Sequence, residues 1–296
     1  MNGAHTVRPL FTVGQRAAAW PAIRRRLGNI MLYTLVVLGG LAMFVPLAWV
    51  LLTSVKMPEE VTRIPITWLP DRAFYFDNYV ELFKVQPFAR YFVNSLWVSV
   101  LSLVSSGIIA TLAAYAFAKL KFPLKEFWFI LVLAVFMVPL EAVVLPMYLI
   151  VAKLDLVNRY LGLALPNLFT AFGVYLLRQF MEGIPDDYID AARIDGASEL
   201  KILWQIVTPL ITPALASFVI IKFMWSWNEF LWPIIVGQQQ SMFTVTVGLV
   251  NFAGVYYTNW TLITTATVFS MLPMILIFIF LQRYLVQGLV LSGIKG

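Results

Sequence analysis

Apolar residues along this chain come in long runs, and the polar residues gather in the gaps between them. The first run, Ile30 to Leu52, is long enough at about 1.5 Å per residue to cross a hydrocarbon core of roughly 30 Å. Five more runs follow: Tyr91 to Phe117, Phe127 to Val151, Leu161 to Phe180, Leu210 to Val236 and Thr261 to Tyr284. Pro139 and Pro146 interrupt the third of these and predict breaks in its helix. The pattern predicts an all-α polytopic membrane protein with six transmembrane helices over residues 30–285. The first run exceeds the apolar core of a cleavable signal peptide and shows no small-residue cleavage site, so it reads as a retained span.

The gaps differ in character. Residues 1–29 carry Arg8, Arg16, Arg24, Arg25 and Arg26 and read as a cytoplasmic lead, helical near Arg16 to Leu27. Lys56 to Arg90 is the longest polar connection, with four prolines and the aromatics Trp68, Phe74, Tyr75, Phe76 and Tyr79, as suits an ordered external lip. Lys119, Lys121 and Lys125 form a basic turn. The connection from Pro185 to Pro209 is too regular for a plain linker. Pro185 suits a helix start, and Asp186 and Asp187 put negative charge at the positive end of the helix dipole. Asp186, Asp190 and Arg193 share one face, and Tyr188, Ala191, Ala192 and Asp195 the other. Gly196 suits a left-handed helix end, and Ser198 with Glu199 a fresh start, with Leu200, Leu203, Trp204 and Val207 as the next apolar stripe. The prediction is helix, sharp turn, helix. By pattern alone this is equally a solvated loop carrying two short amphipathic helices.

Composition sharpens the class. Of the 296 residues, 61% are hydrophobic and only 12% charged, against about 25% charged in soluble domains. The mean hydropathy is +0.84. The net charge of +6 is not gathered on one soluble domain, so nucleic acid is not an expected partner. With an inside N-terminus, thirteen Lys and Arg flank the inner ends of the spans and seven the outer ends. That bias puts both termini and the Pro185 to Pro209 loop in the cytoplasm.

Little in the chain suggests covalent chemistry. There is no cysteine, no phosphate-binding GxxxxGK[ST], no HExxH and no GxSxG, and the sole histidine is His5 in the lead. No catalytic residue, metal or cofactor is expected in this chain. Three charges fall in or at the edges of spans: Glu141, Lys222 and Glu229. At the bilayer centre each costs at least about 2.5 to 3.5 kcal/mol and should face protein or water. Glu141 lies between two prolines, where freed carbonyls are tolerated only against a cavity or a neighbouring subunit. Glu229 closes the cluster Trp225, Ser226, Trp227, Asn228. That cluster reads either as an aromatic belt at the interface or as a solute path in which Trp faces stack on sugar rings and Asn and Glu bond hydroxyls. Lys222 either lines the same path, pairs with a carboxylate or snorkels.

Several separated motifs also carry a family resemblance. DAARIDGA, followed by IVTPL, resembles the EAA loop of binding-protein-dependent ABC importer permeases, with Asp190, Ala191, Ala192, Gly196, Ile206, Thr208 and Pro209 in register. Asp190 stands where Glu is usual, and Thr208 where Leu is common. WSWNEFLWP resembles the fifth-helix signature of carbohydrate-importer permeases, and RYLVQGLVLSGIKG the tail of the maltose-transporter G-subunit family, with Val290 in place of the usual Thr and Ile294 of the usual Val. Ser54-Val55-Lys56 and AFAKLKFP from Ala116 to Pro123 extend the likeness over most of the chain.

The resemblance implies a type I ABC importer permease fold in a bacterial inner membrane. It implies an ATPase-coupling role for Asp190, Ala191, Ala192, Asp195, Gly196, Ile206 and Pro209, with Ala191 and Ala192 permitting close approach and Gly196 setting the bend. It implies a cytoplasmic tail, residues 286–296, that reaches the ATPases through Gly288, Gly293, Lys295 and Gly296. The implied partners are a second permease subunit, a dimer of ABC ATPases holding ATP and Mg, an extracytoplasmic solute-binding protein, membrane lipid and a carbohydrate substrate. An ion-coupled carrier, and an importer permease for a non-sugar solute, stay open beside this reading.

Overall fold

The computed structural model describes residues 13–293 apart from 72, 251 and 253–257, and side chains from 25 to 284 among them. Every regular element among the described residues is helical. The long α1 (Val13–Thr53) absorbs the second half of the predicted lead, running unbroken from it into the first span. Two short helices follow in the long polar connection, the predicted lip: α2 (Pro58–Val61) and α3 (Asp77–Val85). The second span is α4 (Phe88–Lys119). The inner face of α4 carries Ser95, Ser99, Ser102 and Ser106, then Ala110 and Ala114, all buried. Small side chains at helical spacing let neighbouring helices come close. Packed on α4 are α7 (Tyr160–Ala164), α8 (Ala171–Glu182), α12 (Thr212–Asn228) and α14 (Val245–Val250). Gly173 on α8 shows how tight that seam is: a Cβ there would lie 2.6 Å from the Phe218 ring and 3.0 Å from Ala110.

Three of the six predicted spans are bent pairs. The third divides into α5 (Lys125–Phe136) and α6 (Leu140–Lys153), which turn 94° from one another at Pro139. Pro146, expected to add a second break, sits inside a continuous α6. It removes one amide donor, and its neighbours Val144, Met147 and Tyr148 pack on the cluster around Trp232 and Val236, which holds the helix together. The fourth span is α7 with a 3-10 turn over Leu165–Asn167, then α8, bent by 49°.

The predicted fifth span starts and ends differently from the expectation. α9 (Asp186–Ile194) and α10 (Glu199–Ile202) form the central loop, and a π turn, Leu203–Val207, leads to α11 (Thr208–Leu210). The chain then turns 83° at Ile211, between Pro209 and Pro213, into α12. α12 stops at Asn228, because Glu229 takes extended geometry, and α13 (Leu231–Val236) packs apart from it against α6 and α7. The last helix, α15 (Trp260–Gly293), runs beyond the predicted Tyr284 and carries Gly288 and Gly293 as helix. The predicted separate tail is therefore helical to Gly293, and Lys295 and Gly296 lie outside the described residues.

Candidate functional site

The Pro185 to Pro209 segment forms the predicted helix, turn, helix. Gly196 sits at φ +80°. Its N–H donates to Arg193 O at 3.0 Å, and the Ala197 N–H donates to Ala192 O at 3.0 Å, which satisfies the last carbonyls of α9. Ser198 then caps α10, its hydroxyl accepting from the Lys201 N–H at 3.4 Å.

Two polar ties fasten this hairpin to the C-terminal end of α4. At the start of α9, the buried Lys119 ammonium donates to Ile184 O and to Asp186 Oδ1, each at 2.6 Å. That hydrogen bond and the ammonium charge hold the Asp186 carboxyl below its ordinary value of 3.8. At the end of α9, Arg193 bridges Asp190 at 3.0 Å and Glu199 at 2.8 Å. The Tyr115 hydroxyl donates to Glu199 Oε2 at 2.5 Å. Tyr115 and Lys119 are one helical turn apart on α4, so both ties grip the same stripe. A third ionic tie lies alongside: Arg178 on α8 pairs with Glu126 of α5 at 3.0 Å and with Glu182 at 2.9 Å, its guanidinium 3.8 Å from the Phe129 ring centre.

The apolar residues of the hairpin sort into two sides. Ile189 and Ala192 are buried with Ile202, Leu203 and Val207 in the core around Ala114 and Met181. Ala191 is exposed, as are Tyr188, Leu200 and Trp204, and Ile194 is 87% exposed. The predicted Leu200, Leu203, Trp204, Val207 stripe is thus divided between the two sides. Asp195, Gly196 and Pro209 are exposed and Ile206 half-buried. Of the two alanines, only Ala191 faces outward, while Ala192 packs inside its own chain.

The residues expected along a solute path are not all brought together. Trp227 is core: its ring stacks on Phe223 at 5.4 Å, and its Nε1–H donates to Ser270 O at 3.1 Å, tying α12 to α15. Its inner edge and the exposed Asn228 border a groove of about 410 Å³ with Thr246, Thr267 and Met271. Trp225 points elsewhere, half-exposed and 5.0 Å from the Phe172 ring, which lies 6.4 Å from Phe136 at the α5–α6 elbow. Glu141 is exposed on that elbow. Glu229 starts α13, accepting from the Trp232 N–H at 3.4 Å. Lys222 is buried and donates to Asn167 Oδ1 at 3.0 Å, so its partner is an amide at the break of the fourth span. Among the described residues no cluster of His, Asp or Glu could hold a metal ion.

Sequence reasoning did not single out Tyr115, Lys119 or Arg178 as parts of this site. The available signal was a Tyr and a Lys closing an apolar span directly before a turn. The pairing across 65 to 84 positions was not visible.

The fold is thus a bundle of bent apolar helices around α4, with a polar hairpin strapped to one end of that helix. Residues 104–290 match the binding-protein-dependent transport system inner membrane components, and the chain belongs to that family. It is 36% identical over 253 residues to the arabinooligosaccharides transport system permease protein AraQ of Halalkalibacterium halodurans, covering 85% of this chain and 91% of that one. It is 37% identical to the osmoprotective compounds uptake permease protein GgtD of Synechocystis, over 75% of this chain and 76% of the other. The sn-glycerol-3-phosphate transport system permease protein UgpE of Pectobacterium atrosepticum is 30% identical over 90% of this chain and 97% of its own. In fold, the chain resembles a bacterial ABC transporter involved in the import of the acidic polysaccharide alginate, with a TM-score of 0.76 at 23% identity over 94% of this chain and 100% of that one. The protein is therefore an inner-membrane permease subunit of an ABC importer, and ATP is hydrolysed by a separate chain. Membership removes the ion-coupled carrier from consideration.

Proposed function

We propose that this subunit forms half of the translocation path for a carbohydrate or a similarly polyhydroxylated solute, and that the α9–α10 hairpin transmits the motion of a partner ATPase to it. A second permease completes the path, a pair of ATPases holds ATP and Mg, and a solute-binding protein delivers from outside. The N- and C-termini lie with the hairpin on the cytoplasmic side, in keeping with the charge bias. The single observation that carries the coupling role is the two-sidedness of the hairpin: one side is latched to α4, and the other offers Tyr188, Ala191, Ile194 and Leu200 uncovered. In the resembling family this loop occupies an ATPase cleft. Asp190, paired with Arg193 at 3.0 Å and still exposed, borders that apolar side.

The solute class is supported by the relatives, whose names cover arabinooligosaccharides, sn-glycerol-3-phosphate and osmoprotective compounds. Trp225, Asn228 and Glu141 are the exposed members of the candidate path. The test is Ile194→Lys in the reconstituted importer. Solute uptake and ATPase co-purification should both fall while the amount of this subunit in the membrane holds. Retention of the ATPase at parental levels would refute docking through this face.

A further inference from the structure

The external lip contains a short loop whose charges and apolar residues are sharply segregated. Arg63 and Asp71 pair at 2.7 Å, and the Asp71 N–H donates to Glu60 at 3.3 Å, so the segment between them is closed at its base. That segment reads Ile-Pro-Ile-Thr-Trp-Leu-Pro and holds no charge. Its large side chains are uncovered: Ile64 is 90% exposed, Ile66 64%, Trp68 56% and Leu69 64%. The backbone is anchored from behind, where the buried Lys56 ammonium donates to Thr67 O and lies 4.7 Å from the Trp49 ring centre.

The direction of the loop follows from Trp49. The Trp68 ring meets the Trp49 ring edge-on at 5.2 Å. Trp49 lies inside α1, about 6 Å below its end at Thr53 by helix rise. The loop therefore folds back beside the last turns of the first span. That span is exposed and apolar along Leu35, Leu38, Leu41 and Phe44, so the loop is continuous with an uncovered apolar surface. Trp, Ile and Leu above such a surface, with the ion pair at the base, are what an element seated at the headgroup and acyl boundary requires.

We propose that residues 64–70 form an interfacial anchor seated in the outer leaflet of the membrane. It fixes the depth of the external end of α1 and of the lip that α1 enters. Its partner is the lipid surface, and the inference is independent of the solute carried.

Because the chain contains no cysteine, single nitroxide labels at Ile66→Cys and Leu69→Cys test this in the whole importer in lipid nanodiscs, with partner chains in cysteine-free form. Lys84→Cys on α3 is the aqueous control. Both loop labels should collide with oxygen and lose nearly all collision with a water-soluble nickel chelate, relative to Lys84→Cys, with or without added binding protein. Nickel access equal to the control, lost only on adding binding protein, would make the loop a docking surface and overturn the proposal. Exclusion of both relaxants would overturn it in favour of cover by the second permease. Parental ATPase activity of each labelled complex shows that it is assembled.

Discussion

At the scale of single residues, two tryptophans two positions apart have opposite duties. Trp227 is 3% exposed, stacked and hydrogen-bonded, so Trp227→Ala leaves a cavity and a carbonyl without its donor in the α12–α15 seam. The cost should be about 3 to 5 kcal/mol, enough to lower the amount of folded subunit. Trp225 is 41% exposed with one aromatic neighbour, so Trp225→Ala should leave membrane abundance near parental while reducing uptake. Immunoblots of membranes alongside uptake rates separate the two outcomes, and equal abundance loss in both variants would remove Trp225 from the path. The sequence showed a Trp-rich cluster but not this division, since both are tryptophans within one apolar run. Only the neighbours Phe223, Ser270 and Phe172, which come from distant segments, decide which ring is inside.

At the scale of elements, what was legible is what local chemistry dictates. Three of the six apolar runs appear as single long helices and three as bent pairs, Pro139 produced its break, and Gly196 ended α9. The bends at Leu168 to Thr170 and at Ile211 were not read. Pro166, Pro209 and Pro213 lie near them, yet proline alone does not decide a bend, as the continuous helix through Pro146 shows. Packing of its neighbours against Trp232 settled the case of Pro146. Gly196 permits the sharpest test at this scale. Proline fixes φ near −65°, against the +80° required here, and also removes the N–H that donates to Arg193 O. Gly196→Pro should therefore reorient α10 relative to α9 and reduce uptake more than membrane abundance. Matching losses in the two would indicate a folding defect in place of a coupling defect.

For the whole molecule, the route from the hairpin into the bundle runs through α4. Lys119 holds the start of α9, and Tyr115 holds its end through Glu199 and Arg193. Along its length the same helix seats α8, α12 and α14, and near the end far from the hairpin its Asn94 amide donates to Ser241 O and Phe243 O, each at 2.9 Å, in the loop before α14. On the proposed coupling role, movement of the hairpin passes along α4, provided both ties hold. The Lys119 tie is closed at physiological pH. Its carboxyl is depressed in the folded state, so its contribution is complete above the ordinary aspartate value and is lost only as pH falls through the lower folded value. Removing one tie leaves α9 pivoting on the other. Removing both, in Lys119→Met with Tyr115→Phe, leaves only the apolar packing of Ile189 and Ala192 to hold α9, while the exposed face proposed to meet the ATPase is untouched. The double variant should retain its ATPase partner and hydrolyse ATP with little solute moved, and its loss of uptake should exceed the sum of the single losses in free-energy terms. Uptake and hydrolysis measured in the same proteoliposomes between about pH 6 and pH 8 should show this uncoupling without a pH trend. If uptake and hydrolysis fell in proportion, α4 would be a scaffold for the hairpin and not the lever it moves.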